Sequence, residues 1–149
     1  MLELIPLTES DLPFLLEVRN DESTRSMLEN DQIFTIDECL DWFKNHKPKW
    51  FIIKVNKTPV GYLRTNGDEV GCDIHPNFRR RGYAKMAYEL YLKDKEYAIL
   101  WVFEDNFAKK LYSKLNFKDT KEIKFIRGRK YRKMYYLNKS NNATMVYKK

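Results

Sequence analysis

The run YAILWVF, residues 97–103, most narrows what this chain can become: it holds seven residues without a charge, bounded by Glu96 and Glu104. It falls far short of the roughly 18 residues needed to cross a bilayer. It reads instead as a β-strand covered on both faces, the environment of a central or parallel position in a sheet. Such a strand needs neighbouring strands and covering helices, and the rest of the chain supplies both patterns.

LELIPL (2–7) alternates as a strand, and Ser10 precedes a helical stretch with Leu12, Leu15 and Leu16 on one face. Thr35 and Glu38 form a Thr-x-x-Glu capping box ahead of Ile36, Cys39, Leu40 and Phe43, which predicts a helix over 36–46. WFIIKV (50–55) and PVGYLR (59–64) are β-rich runs joined by a short turn, and Asn66-Gly67 marks a hairpin into EVGCDI (69–74). Tyr83, Met86, Ala87, Leu90 and Tyr91 make one apolar helical stripe; Phe107, Ala108, Leu111, Tyr112 and Leu115 make another, ending near Asn116. KEIKFIR and KYRKMYYL, separated by Gly128, read as a closing hairpin. The 149 residues are thus expected to form one α+β domain over 1–137, with a mixed sheet and a polar tail over 138–149.

Composition excludes some classes of protein. Apolar residues make up 43% and charged residues 33%, a globular balance. The acidic start MLELIPLTESD lacks the basic and apolar regions of a signal peptide, so a soluble, cytoplasmic protein is expected, without membrane association. Cys39 and Cys72 lack metal-ligand spacing and do not cluster with His46 or His75, which predicts two reduced thiols and no metal. The net charge of +7 is unevenly spread: residues 1–78 hold 8 Lys/Arg against 14 Asp/Glu, and residues 79–149 hold 20 against 7. That asymmetry points to a phosphate or polyanion ligand on the C-terminal half.

The change of sign begins at NFRRRGYAKMAYELYL, residues 77–92, where three arginines and a glycine precede a helix. The first N–H groups of a helix have no intrahelical partner, and its aligned dipoles favour an anion there. Gly82 removes a Cβ from the approach to those groups and Ala84 keeps the first turn small, while Arg79, Arg80 and Arg81 offer forked donors. A pyrophosphate suits this turn. Neither GxGxxG nor the Gly-x-x-x-x-Gly-Lys-Ser/Thr loop occurs here.

The run DIHPNFRRRGYAKMAYELYL resembles the coenzyme A site of the GNAT superfamily of N-acetyltransferases, whose loop reads Gln/Arg-x-x-Gly-x-Gly/Ala after a strand; Arg79, Gly82 and Ala84 match it. DNFAKKLYSKLNF, 105–117, resembles the family's second signature, with Asp105 where an asparagine is usual and Asn106 one step later. Asn116 stands for the usual glycine and can take the same left-handed cap. The resemblance implies a single domain with a central, mostly antiparallel mixed sheet of about seven strands, split between the fourth and fifth and flanked by about four helices. It implies acetyl transfer from acetyl-CoA to a primary amine by direct attack in a ternary complex, without a metal, by a monomer or homodimer.

Carried onto this chain, the resemblance implies coenzyme A contacts from Cys72, Asp73, Ile74, Arg79, Arg80, Arg81, Gly82, Tyr83, Ala84 and Asn106. It implies Tyr112 as the acid beside the leaving sulfur. Candidates for the base are Glu69 and Asp73, which share one strand face by alternation, then His75 or water. The segment LEVRNDESTRSM with FTIDECLDWF looks like relatives acting on nucleotide-linked amino sugars or protein N-termini, which makes Arg19, Asn20, Arg25 and Trp42 candidate contacts to a small-molecule or peptide amine. Two other readings stay open: a coenzyme A binder without turnover, and a nucleic-acid-binding domain using the basic, aromatic run KFIRGRKYRKMYY (124–136).

Overall fold

The tight turns and caps seen in the sequence divide the chain into strands and helices. A computed structural model describes residues 1–106 and 108–138. In chain order the elements are β1 (Leu2–Pro6), α1 (Leu12–Arg19), α2 (Glu22–Arg25), α3 (Ile36–His46), β2 (Phe51–Val55), β3 (Thr58–Asn66), β4 (Glu69–Ile74), α4 (Tyr83–Leu92), β5 (Tyr97–Phe103), α5 (Ala108–Lys114), β6 (Lys118–Ile126) and β7 (Arg129–Leu137). The strands form one sheet in the order β1-β2-β3-β4-β5-β7-β6. Only β4 and β5 are parallel; every other neighbouring pair is antiparallel. This is the α+β, seven-stranded mixed sheet expected. Phe107 and the expected tail from residue 139 lie outside the described residues.

Two cores cover the two faces. Leu12, Leu15 and Val18 of α1 and Cys39 of α3 bury Ile52 of β2 and Tyr62 of β3 on one side. Ala87, Tyr88 and Leu92 of α4, with Tyr112 of α5, bury Leu63, Val70, Leu100 and Val102 on the other. Each wholly buried Leu or Ile side chain contributes roughly 2 kcal/mol. The capping box of α3 forms as its sequence predicts: the Glu38 N–H donates to Thr35 Oγ1 at 3.1 Å and the Thr35 N–H donates to Glu38 Oε1 at 2.9 Å. Asn116 takes the left-handed cap of α5 at φ 69°, and the Phe117 N–H donates to the Tyr112 carbonyl at 2.9 Å.

Two expectations need correction. β5 is central, but only one of its faces is fully covered: Ala98, Leu100 and Val102 are buried, whereas Ile99, Trp101 and Phe103 are half-buried. Among the described residues no helix backbone has extensive contact with β5. Instead Lys124 Nζ stands 4.0 Å from the centre of the Trp101 ring and the Arg129 guanidinium 3.9 Å from that of Phe103. The closing hairpin also begins earlier than its apolar run suggests, at Lys118, because an irregularity between Asp119 and Ile123 interrupts its alternation.

β4 and β5 meet at a single register pair, Glu69 with Ile99, beside a 2.8 Å hydrogen bond from the Ile99 N–H to the Asp68 carbonyl. Beyond that pair the strands separate, and β4 remains paired to β3 as far as Ile74. Among the described residues the β5-facing edge of β4 therefore has no strand partner from Val70 onward. This split is the feature that positions the site.

Candidate active site

The split opens into a cavity of about 240 Å³. Val70, Gly71, Cys72 and Asp73 form one wall; Leu100, Trp101, Val102 and Phe103 form the opposite one. Tyr112 and Asn106 approach from the α5 side, and Met27, Leu28, Glu29 and Asn30 from the segment joining α2 to α3. A narrow arm with hydrogen-bonding amides could lie along the unpaired edge of β4 as an extra strand does.

The arginine turn follows β4. Gly82 has φ 81° and ψ 8°, a conformation that glycine adopts without penalty, and it precedes α4 with no side-chain cap and no acidic residue in the first turn. Nothing lies within 4 Å of where a Gly82 Cβ would sit. The free amides at the start of α4 thus open to unfilled space, as an approaching pyrophosphate requires. Arg80, at φ 63°, and Arg81, whose guanidinium lies 5.6 Å from the Phe78 ring centre, are exposed beside them. Tyr83 and Ala84 begin the helix and are half-buried. Arg79 differs: its Nε donates to the Ile74 carbonyl at 3.0 Å, Nη1 to Ser23 Oγ at 2.6 Å and Nη2 to Thr24 Oγ1 at 2.9 Å. Its guanidinium is committed within the protein.

Of the three carboxylates lining the cavity, two are paired. Asp73 takes the Arg64 Nε at 2.9 Å, and Glu29 takes Lys124 Nζ at 2.6 Å. Glu69, exposed at the start of β4, makes no side-chain hydrogen bond or ion pair among the described residues. Arg64 was not anticipated from the sequence. It lies directly over Gly71, where a Cβ would come within 2.3 Å of its Nη2, and so reaches Asp73 two residues further along the same face. A signal was present: a charge in the inner stretch of a strand, opposite a glycine in the next strand, requires a nearby counter-charge. His75 lines no part of this cavity. Its Nε2 lies 3.1 Å from Glu17 and its Nδ1 accepts the Asn77 N–H.

Tyr112 is 8% exposed and faces the cavity. Burial pushes its phenol up to about 12. Tyr88 donates to Tyr112 Oη at a long 3.4 Å, which leaves the Tyr112 proton available to the cavity. Burial likewise pushes the Cys72 thiol up, so it stays protonated at neutral pH. Cys39 is buried and also free. Asn106, rather than Asp105, lines the cavity, with its Oδ1 accepting the Ala108 N–H at 2.9 Å. Ile74 lies beyond the lining, at the buried end of β4.

The four expected acceptor contacts divide. Asn20 pins the α2–α3 segment by exchanging two hydrogen bonds with the Phe34 backbone, at 2.8 and 3.0 Å. Arg25 donates to the Asn20 and Asp31 carbonyls. Neither lines the cavity. Arg19 does, but its guanidinium donates to the Asn30 and Gln32 carbonyls and stacks on Phe34. Trp42 lines a separate depression of about 470 Å³ with Arg19, Phe34 and Trp50. The segment is also held from the far side: Arg127 pairs with Asp31 at 2.5 Å and donates to the Leu28 and Glu29 carbonyls, and Tyr131 Oη donates to the Leu28 carbonyl at 2.9 Å. Among the described residues no group of three or more His, Cys, Asp or Glu is placed to hold a metal ion. No helix among them is long and apolar enough to cross a membrane.

A split sheet, an uncapped helix after a glycine turn and a tyrosine facing the split together make a site that suits a phosphate-bearing carrier with a narrow arm. The model of the acetyltransferase (GNAT) family matches residues 11–117, and the chain belongs to that family. It is an acetyl-CoA-dependent N-acetyltransferase. No curated protein sequence matches it. Similar solved structures include spermidine N-acetyltransferase from Vibrio cholerae in complex with CoA and spermine, at 21% identity over 91% of this chain and 95% of that one, with a TM-score of 0.82. The protein yncA from Salmonella typhimurium, with its cofactor acetyl-CoA, is 17% identical over 92% and 94%, with a TM-score of 0.74. Ribosomal-protein-alanine N-acetyltransferase from Brucella melitensis is 19% identical over 93% and 99%, with a TM-score of 0.69. At these identities the likeness is one of fold.

Proposed function

We propose that the protein acetylates a primary amine of a small cationic acceptor of the alkyl polyamine class, with Glu69 receiving the ammonium and removing its proton. The carrying observation is the unpaired Glu69 at the cavity, where both lining arginines are already engaged: Arg64 by Asp73, and Arg19 by two carbonyls and Phe34. A nucleotide-linked sugar needs free cations for its phosphates, and an ammonium needs a free carboxylate. The spermine bound to the Vibrio cholerae protein is consistent with this choice. The basic hairpin is largely engaged too, through Lys124–Glu29, Arg127–Asp31, Arg132–Glu104, Arg132–Asp119 and Lys133–Glu122. Those pairs leave less charge for a nucleic-acid backbone than the sequence total suggests.

Acetyl-CoA supplies the activated carbonyl, and the amides at the start of α4 with Arg80 and Arg81 would hold its pyrophosphate. Asn106 and the free edge of β4 at Cys72 and Asp73 would hold the amide-bearing arm and face the developing oxyanion. Tyr112 then serves the departing sulfur as a hydrogen-bond donor. With its phenol near 12, full proton transfer to a thiolate of ordinary pKa, about 8.5, is uphill by about 5 kcal/mol. The ammonium gives up two protons, one through Glu69 before attack and one as the tetrahedral intermediate collapses; one of them returns through solvent to the departing thiolate and the other is released to solvent.

The test is thiol release from acetyl-CoA with spermidine, an N-terminal alanine peptide and a nucleotide-linked amino sugar as acceptors. Spermidine is expected to turn over fastest, and Glu69→Gln to lower kcat/KM about 100-fold, within the range of a lost general base. Preference for the nucleotide sugar, or wild-type rates in Glu69→Gln, would contradict the proposal.

A further inference from the structure

The loop arginine that matches the family's first motif position spends its donors on protein acceptors outside the helix terminus it was expected to serve. All three kinds of nitrogen in the Arg79 guanidinium donate inside the protein: Nε back to the end of β4, and the two terminal nitrogens to Ser23 and Thr24. Thr24 is 4% exposed and Arg79 half-buried, while Ser23 is exposed, so the junction is partly buried. Ser23 also donates through its hydroxyl to Asp21, which caps α2 by accepting the Ser23 N–H at 2.9 Å. Arg79 sits on the Asp21 side of the same network and, after those two hydrogen bonds, helps hold that carboxyl below its ordinary range.

α2 is only four residues long and cannot hold its position by its own hydrogen bonds. Its chain continues directly into Met27–Asn30, one wall of the cavity. Arg25, in its last turn, donates onward to the Asp31 carbonyl in the same segment. One side chain of the phosphate loop therefore fixes the helix from which the acceptor wall is suspended. A planar fork suits this task, since it spans three acceptors at once and a lysine ammonium does not.

We infer that Arg79 is a positioning residue that couples the coenzyme A loop to the acceptor wall through Ser23 and Thr24, and that its guanidinium does not bind the phosphates. Ligand held by the neighbouring amides of the loop stabilises the Arg79 conformation, and by linkage the segment 21–34. The inference rests on this loop being the coenzyme A site.

Calorimetric titration with acetyl-CoA and hydrogen exchange with and without coenzyme A test it in wild type, Arg79→Ala, Arg79→Lys and the double variant Ser23→Ala, Thr24→Val. The double variant leaves the loop sequence intact. Acetyl-CoA is expected to slow exchange over 21–34 in wild type by about 5- to 100-fold, the span of ordinary coupling energies. In all three variants that slowing should fall below about twofold, while the acetyl-CoA Kd changes by less than about threefold. Loss of acetyl-CoA binding in Arg79→Ala with unchanged protection in the double variant would make Arg79 a phosphate ligand and overturn the inference. Full ligand-dependent protection in the double variant would also overturn it. A wild-type protein that does not bind acetyl-CoA would overturn the loop assignment, and the inference with it.

Discussion

At the scale of single residues, the proposed site leaves a few groups unmatched. Glu69 is the unpaired carboxylate of the cavity, Tyr112 keeps its proton free, and Gly82 holds a left-handed turn before an uncapped helix. Burial raises the Tyr112 phenol to about 12, so it is fully protonated across the physiological range and its hydrogen bond does not titrate there. Replacing it tests the assigned role. Tyr112→Phe is expected to lower kcat by about 10- to 100-fold, with the KM for acetyl-CoA little changed. Unaltered turnover in steady-state assays would remove the phenol from the mechanism. The partners of these residues were harder to read. Glu69 and Asp73 share a face by simple alternation, but Asp73 is neutralised by Arg64, which reaches it only because Gly71 has no side chain.

At the scale of elements, legibility followed locality. The α3 capping box, the Asn66-Gly67 hairpin and the left-handed Asn116 cap each depend on residues within one turn, and the structure contains them all. The apolar stripe read for α4 is only partly the buried face: Met86 and Leu90 are exposed, and Tyr88 and Leu92 are buried beside Ala87 instead. α2 escaped notice because four residues carry no period; its visible sign was Asp21 ahead of Glu22. The second face of β5 was misread because cations stacked on Trp101 and Phe103 do the covering there, and an apolar strand looks the same under a helix or under a lysine stem. β5 is joined to the hairpin through Arg132, which donates to Glu104 just beyond β5 and to Asp119 in β6. The hydrogen bond from Arg132 holds the Glu104 carboxyl below its ordinary range. Its contribution to stability is therefore complete above about pH 4.3 and disappears as the pH falls through the lower folded value. Thermal melts between pH 6 and pH 2.5 should show a shallower acid decline for Glu104→Gln than for wild type. Parallel curves would mean this network adds nothing.

Across the whole molecule, the charge asymmetry has two uses. The acidic N-terminal half and the basic C-terminal half pair through Glu29 with Lys124 and Asp31 with Arg127, contacts about a hundred residues apart that no local pattern announces. The same asymmetry leaves Arg80 and Arg81 exposed beside the start of α4. The split between β4 and β5 was foreseen only through family resemblance, since nothing in the strand sequences alone says that the two meet at a single pair. The central claim is that this split and its glycine turn form the acetyl-CoA site. Calorimetric titration of wild type and Gly82→Val with acetyl-CoA, alongside a short oligonucleotide, tests it most directly. The account predicts one acetyl-CoA site in wild type, an affinity at least about tenfold weaker in Gly82→Val because a β-branched residue is strained at that φ and crowds the phosphate approach, and no competing oligonucleotide binding at physiological salt. Equal affinity in the two proteins, or salt-sensitive oligonucleotide binding without any for acetyl-CoA, would contradict it.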